Sequence, residues 1–591
     1  MKTIRLFPLE LCRLLQSRFT WLMIGLSVLS PVIGLIFYKP AAASTMLSMY
    51  LANPAIAGGI AGSVLFGTLT VFELDRAVRS RVDVLIDSTV SPLCMALVRL
   101  LVMMVDALIT LGLTMLVWLP ISKWLIGAVF GIVDYVLAYL ILMGLAMPLG
   151  ILAAAAAYQF TRRVDLSLVL FAALAALSLT VWADNWQLCW LNPCVWALSD
   201  DFSNFRIFRS VGYMRLTWLV ALSGVWTISW LCVRQYGKGL LGSLIWSVRR
   251  AYRPAVALIL LVFSGIAYAA QPMVDNSNPD ETAMLFYEVP YAEEVVCTGR
   301  TAEVFPDVNS GTLSGYAAYQ FQNSSGQEQR VAFGINPGYT ISNVQANGLD
   351  VPFSVSDYQE YNEAMLEVTI PADKHVELTM EYGGFPQESA NMSTMQGSTE
   401  ISEEYLCLEN ATLSPRLMNV LPDENMYPTT IEITLPSSMT VIPFGNSNAQ
   451  VVTEHENGTK TWHYEGNSTG GIVYAGNYIR EDVVVDGFTI EFYYGRKHQA
   501  VMEAAGAVEA IKSVVDYCVE HYGYLSFGAD NKLKLIQSRV SGGGYAAGGA
   551  SLLDEADFTS ENLSNADKGA GTGEVMIHEL VHQWWGLGNM F

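Results

Sequence analysis

Histidine is scarce in this chain, seven residues in 591, and none of its eight cysteines forms a Cys-x-x-Cys pair. The missing pair leaves no basis for a cysteine-ligated zinc site or a thioredoxin-type redox motif. No Gly-x-x-x-x-Gly-Lys-Ser/Thr segment is present, so the chain carries no P-loop for ATP. Positive charge is short too, with 33 Lys and Arg against 55 Asp and Glu and a formal net charge of −22. That shortage is local: residues 1–271 hold 20 Lys and Arg against 11 Asp and Glu, and the remainder holds 13 against 44. Phosphate binding needs clustered cations, which the acidic part lacks, so the charge balance argues against nucleic acid as a partner. No internal repeat of fixed period is present.

The chain does hold long apolar runs. Its 591 residues exceed what one hydrophobic core usually serves, so at least two domains are expected. Seven stretches suffice to cross about 30 Å of hydrocarbon, near Phe19–Tyr38, Asn53–Phe72, Leu101–Leu119, Gly127–Ala153, Val164–Ala183, Leu216–Val233 and Pro254–Ala270. With a cytoplasmic N-terminus, 15 Lys and Arg fall on the inner side and five on the outer, namely Lys39, Lys123, Arg206, Arg209 and Arg215. This positive-inside bias predicts a multi-pass protein of the cell membrane with everything after Gln271 outside. Ala41-Ala42-Ala43 resembles a signal-peptide cleavage site, but the first run is too long for a signal core and more spans follow, so it reads as an anchor. Asp106 and Asp134 lie within or near spans and mark either a polar pathway or buried pairing. Cys189 and Cys194 are the closest cysteines; with Cys297 and Cys407 they fall on the outer side, as disulfides or as unpaired buried thiols.

Between the second and third spans, Glu73 to Pro92 mixes charge with helically spaced Val and Leu and ends in a Ser/Thr-x-x-Ser-Pro turn. It resembles the coupling loop of type 2 ABC transporter permeases, which implies a separate ABC ATPase as partner. An ordinary amphipathic interfacial helix explains the same pattern.

From about Leu285 to Tyr494 apolar residues alternate in period two, as in Leu366-Glu-Val368-Thr-Ile370 and Phe488-Thr-Ile490-Glu-Phe492, between Asn-Gly, Pro-Gly and Gly-Gly turns. Half-buried antiparallel strands of a β-sandwich or saddle are predicted. After Arg496 the period changes: Val501, Ala505, Val508, Ile511, Val515, Cys518 and Tyr522 predict one amphipathic helix. A strand over Lys532–Gln537 then leads into Gly542–Gly549, whose glycines permit either close backbone approach to a ligand or a flexible hinge.

Near the end stands His578-Glu579-Leu580-Val581-His582. Residues four apart on a helix share a face, so both imidazoles can meet one tetrahedral Zn2+ ion, with Glu579 as general base toward a water. In a chain with so few histidines such a match arises by chance roughly once in a few hundred sequences. Val575, Met576, Leu580 and Val581 supply a core-facing side. His375, His455, His463, His498 and His521 lack ligand spacing and are expected at the surface or in turns; Trp584 and Trp585 are expected to pack in the core.

The stretch Gly573-Glu-Val-Met-Ile-His-Glu-Leu-Val-His-Gln-Trp-Trp-Gly586 resembles the zinc helix of gluzincin aminopeptidases of the membrane alanyl aminopeptidase type. The resemblance covers roughly Leu285 to Phe591. It implies His578 and His582 as ligands, Glu579 as base, zinc as cofactor and a peptide substrate. That family completes its site with a Glu separated by eighteen residues from the second His, then a Tyr, whereas nine residues follow His582 here. The site is therefore expected to be incomplete, the zinc weakly held and the sequence a piece of a longer protein. Where the family has Gly-x-Met-Glu-Asn to grip a free amino group, Gly544–Gly548 places Ala547 at the Glu position, so strict aminopeptidase specificity is not expected. Backbone groups around Gly543, Gly544, Tyr545, Ala546 and Ala547 remain as the substrate strand.

The expected architecture is multi-domain: an α-helical transmembrane bundle of about seven spans over 1–271, a β-rich sandwich or saddle over 272–495, and the start of an α+β thermolysin-like zinc peptidase domain over 496–591. The expected function is a membrane-anchored zinc metallopeptidase. The alternative is a permease-like export or sensing subunit with a non-catalytic peptidase-like exterior domain.

Overall fold

The structure, a computed structural model, describes residues 2–41, 46–183, 185–195, 197–234, 238–270, 290–360, 363–386, 400–420, 427–467, 471–525, 532–539, 544–565, 567 and 571–586. The chain forms two compact units, Met1–Leu198 with Asn204–Gln271, and Ser199–Ser203 with Pro272–Phe591.

The first unit is helical. Six of its described helical segments are long and apolar enough to cross a membrane: Arg18–Ile36, Ser48–Arg79, Pro92–Val129, Ile132–Thr161, Phe205–Leu231 and Tyr252–Ala269. The sequence-based count was seven, and the difference is Val164–Leu179. With 16 residues it reaches about 24 Å at 1.5 Å per residue, against about 30 Å of hydrocarbon. The first segment breaks at Ser30–Pro31 into Arg18–Leu29 and Val32–Ile36, because proline offers no N–H to the preceding turn. Close helix contact rests on glycine: a Cβ on Gly59 would lie 2.3 Å from the Leu142 carbonyl oxygen, and one on Gly150 2.4 Å from that of Ser63.

Arg215, expected in an outer loop, instead lies fully buried within helix Phe205–Leu231. Its guanidinium donates to the carbonyl oxygens of Ile141, at 2.6 Å, and of Leu142. Both belong to the π-helical stretch Tyr139–Gly144, where the wider turn leaves carbonyls in need of donors. Asp106 is fully buried, and its carboxylate oxygens meet no hydrogen-bond partner among the described residues; Asp134 accepts from the Asn204 side chain at 3.2 Å. The charged stretch after Arg79 forms a short helix, Asp83–Thr89. No disulfide joins the eight cysteines, all of which are among the described residues; the Cys189 and Cys194 sulfurs lie 3.5 Å apart.

In the second unit the period-two reading is met where one face is solvated. Strand Glu363–Ile370 buries Leu366, Val368 and Ile370, and strand His375–Gly384 buries Val376, Leu378 and Met380. An eight-stranded sheet, centred on Val295–Asp307, Thr312–Asn323 and His375–Gly384, shares one core with two four-stranded sheets. Among the described residues of these three sheets pairing is antiparallel except that Val295–Asp307 runs parallel to Pro428–Pro436.

A separate five-stranded sheet runs Tyr478–Val485, Phe488–Gly495, Lys532–Ser538, Ala550–Asp554 and Tyr545–Ala547, the last being an edge strand. Half-burial was expected for Phe488–Gly495, yet it is covered on both faces. Helices cover one face around Ile490 and Phe492, and a cluster containing Tyr405, Tyr478 and Tyr493 covers the other. The single helix expected after Arg496 is two, Gln499–Ala505 and Ala507–Tyr522, divided at Gly506 with φ +67°. That left-handed conformation ends the first helix without Cβ strain.

Ser199–Ser203 belongs to this unit through buried polar contacts. Asp201 Oδ2 lies 2.6 Å from His498 Nδ1, and the Lys497 N–H donates to Asp201 Oδ1 at 3.0 Å. His498 was expected at the surface or in a turn; it ends a 3-10 turn but is 1% exposed. Burial pushes the Asp201 carboxyl up, and the His498 hydrogen bond and charge outweigh that, leaving it below the ordinary range. Glu555 behaves oppositely. Burial, then the nearby Asp200 charge, raise its carboxyl well above its ordinary 4.5, against hydrogen bonds donated by the Ser199 hydroxyl and the Asp200 N–H.

A carboxyl raised in the folded state lends stability that is complete below its unfolded value and lost as pH climbs through the folded one. Glu555→Gln keeps one acceptor and adds a donor, mimicking the protonated acid. Thermal melts from about pH 5 to about pH 8 should show the parent losing stability relative to Glu555→Gln; parallel curves would contradict this account.

Candidate functional site

Helix Glu574–Val581 begins after Gly573, whose φ is +76°, and carries Glu574 in its first turn, where a carboxylate favours the helix dipole. Met576 and Leu580 are fully buried against Ile490, Val515 and Trp584. His578 is therefore turned to the exposed side, with His582 half-buried one turn on. Their Nε2 atoms are 3.0 Å apart with rings at 88°. His582 Nδ1 is 3.0 Å from the Trp585 carbonyl oxygen. A carbonyl only accepts, so Nδ1 carries a proton, and the tautomer this selects directs its Nε2 lone pair toward His578.

Glu579 is 6% exposed. Burial pushes its carboxyl up, with the charges of the two histidines opposing. It lies against the segment entering the edge strand: a Cβ on Gly544 would fall 2.2 Å from Glu579 Cγ, so only glycine fits there. Of the expected substrate strand, Tyr545, Ala546 and Ala547 form the edge, antiparallel to Ala550–Leu552; Gly544 precedes them, and Gly543 lies outside the described residues.

Gln583 carries weight that spacing did not reveal. Its side-chain oxygen accepts from the Gly549 N–H at 3.0 Å. Its NH2 donates to the carbonyl oxygens of Ala547 at 3.0 Å and Ala550 at 3.1 Å, and approaches Ser551 Oγ at 3.2 Å. Ser551 Oγ in turn donates to the Glu579 carbonyl oxygen at 2.8 Å. The available signal was position: Gln583 stands four residues after Glu579 and shares its side of the chain. Trp584 packs in the core as expected, edge-on to Phe488 at 5.7 Å, and donates to the Gly523 carbonyl oxygen at 2.9 Å. Trp585, expected there too, is 59% exposed, because one more step along the turn rotates it out of that packed face.

Zinc suits the two imidazoles. Ligand nitrogens about 2.0–2.1 Å from a tetrahedral zinc lie about 3.3 Å apart, near the 3.0 Å found. Among the described residues no group of three or more His, Cys, Asp or Glu converges on one point.

No protein-family model and no curated protein matches the chain. Solved structures do. The M1 zinc metallopeptidase from Deinococcus radiodurans, in a point-substituted form, is 17% identical with a TM-score of 0.34, covering 51% of this chain and 67% of that one. Its unsubstituted form is 17% identical with a TM-score of 0.32, over 51% and 66%. A two-domain M1 zinc metallopeptidase, substituted and bound to L-arginine, is 17% identical with a TM-score of 0.33, over 50% and 65%. The chain thus spans about two thirds of the length of these structures.

Replacing Gln583 with Leu leaves the Gly549 N–H and two carbonyl oxygens without their partner. A loss of about 1–3 kcal/mol of stability is expected, with faster amide exchange confined to residues 544–551. Unchanged exchange there would remove Gln583 from its tethering role.

Proposed function

We propose that this chain is a membrane-anchored zinc metallopeptidase of the gluzincin aminopeptidase type, cutting extended peptides outside the cytoplasm. The observation that carries the reading is the convergence of His578 and His582 Nε2 beside a buried Glu579 and an open edge strand. His578 and His582 would hold the zinc, with any further ligand coming from outside the described residues. When bound there, the ion supplies a Lewis acid that polarises the scissile carbonyl and acidifies water. Glu579 takes a proton from the attacking water on its carboxylate and passes it to the departing amine nitrogen. The edge strand Tyr545–Ala547 receives the peptide backbone by strand addition, which fixes the scissile bond relative to Glu579. In this reading Val164–Leu179 crosses as a short seventh span, locally thinning the bilayer, and the positive-inside bias sets the catalytic unit outside.

In the full-length protein, Glu579→Gln should retain zinc while peptide hydrolysis falls roughly 10²–10⁴-fold; His582→Ala should lose both. Metal analysis beside a quenched-peptide assay reads this, and equal hydrolysis by parent and Glu579→Gln removes the assigned base.

A second reading draws on helix Asp83–Thr89: a permease-like subunit that docks a separate ATPase through this helix, its peptidase-like unit binding ligand without cutting. Affinity purification from native membranes should then retain an ATPase that reversing the charges of Asp83 and Arg81 releases. Purification without any ATPase counts against it.

A further inference from the structure

Side chains along a strand alternate between faces, and the edge strand Tyr545–Ala547 meets different surroundings on its two sides. Gly544 and Ala546 share the side of Glu579. Tyr545 faces the other way, 39% exposed, with its ring stacked on Phe444 at 5.6 Å between centroids and 29° between planes. Phe444 arrives from far along the chain, directly after strand Thr440–Pro443. Its inner edge rests on buried Tyr474, ring centroids 6.3 Å apart, while the residue itself stays half-buried.

The loop that delivers Phe444 is tied down by one cation. Lys534, on strand Lys532–Ser538 and 4% exposed, donates from Nζ to the carbonyl oxygens of Pro443 at 2.9 Å, Gly445 at 3.0 Å, and Ser447. Three alternate carbonyls wrapped on one ammonium fix the loop on both sides of Phe444. Burial pushes Lys534 down to about 8, with the Glu491 charge on the neighbouring strand opposing, so the ammonium form still predominates at neutral pH. Further along the loop Asn446 fills the space beside Gly549: a Cβ there would fall 1.5 Å from Asn446 Oδ1. Loop and hairpin turn are thus in contact.

We propose that Phe444 and Tyr545, held in place by Lys534, form an aromatic shelf that selects a large apolar side chain on the peptide paired with the edge strand. This rests on the peptidase reading. A peptide added to the edge sends alternate side chains to opposite faces. Those on the Glu579 face flank the bond to be cut, and those on the opposite face land on the shelf. A stacked pair of rings, partly exposed and backed by buried Tyr474, favours an aromatic or branched apolar side chain and offers no counter-charge to an ionic one. Phe444 and Tyr545 therefore determine specificity, and Lys534 is a positioning residue.

The test is equilibrium binding to the full-length protein carrying Glu579→Gln, so that bound peptide is not cut. Two blocked, fluorescently labelled peptides serve as probes, one alternating Ala and Phe and one of Ala only; alternation guarantees a ring on the shelf in one of two registers. The Phe peptide should bind roughly tenfold tighter, the scale of one good aromatic contact. Phe444→Ala should bring the two affinities to within about twofold, chiefly by weakening the Phe peptide. Phe444→Tyr, which keeps the ring, should retain the preference. Lys534→Met should lose the preference with Phe444 present, whereas Lys534→Arg, which keeps a cation for the loop carbonyls, should retain part of it. A preference that survives Phe444→Ala, or equal binding of both peptides to the parent, overturns the shelf and leaves the peptidase reading standing. Failure of both peptides to bind overturns strand addition and the shelf together.

Discussion

The side-chain amide of Gln583 is the joint on which the candidate site depends. Helix Glu574–Val581 has eight residues, short of the roughly 12–15 an isolated helix needs, so its geometry is borrowed from what it touches. Met576, Leu580 and Trp584 anchor it to the core on one side. Gln583 anchors its end to the turn between the edge strand and its neighbour. The same amide therefore sets how far the imidazole pair stands from the backbone that would receive a substrate. An apolar contact would tolerate sliding there, whereas directional hydrogen bonds to three separate backbone groups do not.

What the sequence made legible was local. One-turn spacing places His578 and His582 together, and period two marks the strands of the outer sheets because one face of each meets water. The same rule fails for Phe488–Gly495. Its alternation is real, but Glu491 is buried against Arg480 and the Tyr493 hydroxyl, so a polar residue there does not mean solvent. His498 and Lys534 were opaque for a related reason. Each is a polar side chain whose partner lies far along the chain, Asp201 for one and the Pro443–Ser447 carbonyls for the other, and no periodicity encodes such a pairing. A buried charge with its partner hidden looks, in sequence, like a surface charge.

The helical unit shows the same division. Long apolar runs announce the spans, but where one ends depends on backbone detail. Pro31 splits the first. Val164–Leu179 stops at 16 residues. Arg215 was assigned to an outer loop because the apolar run begins one residue later, at Leu216. Its placement inside a helix becomes affordable only because the π-helical stretch Tyr139–Gly144 leaves carbonyls that need donors. Neither the arginine nor the irregular helix makes sense alone, and their complementarity lies across some 70 residues.

The five-stranded sheet separates two tasks by its own pleat. In the proposed reading the groups assigned to the chemistry, His578, Glu579 and His582, stand on the helix-covered face, where Glu579 lies against Gly544 at the entry to the edge strand. The proposed recognition surface, Phe444 and the loop held by Lys534, meets the strand from the opposite face. A strand presents successive residues to opposite sides, so one bound peptide would meet both at once with neither surface obstructing the other. Substitutions on the Phe444 face can then change which peptide is held without moving Glu579, because the backbone of the edge strand, pinned by Gln583, stands between them. The cost of this arrangement is three buried polar anchors, Gln583, Lys534 and Glu491. Each is satisfied only in the assembled unit, so the site and the fold around it form together or not at all.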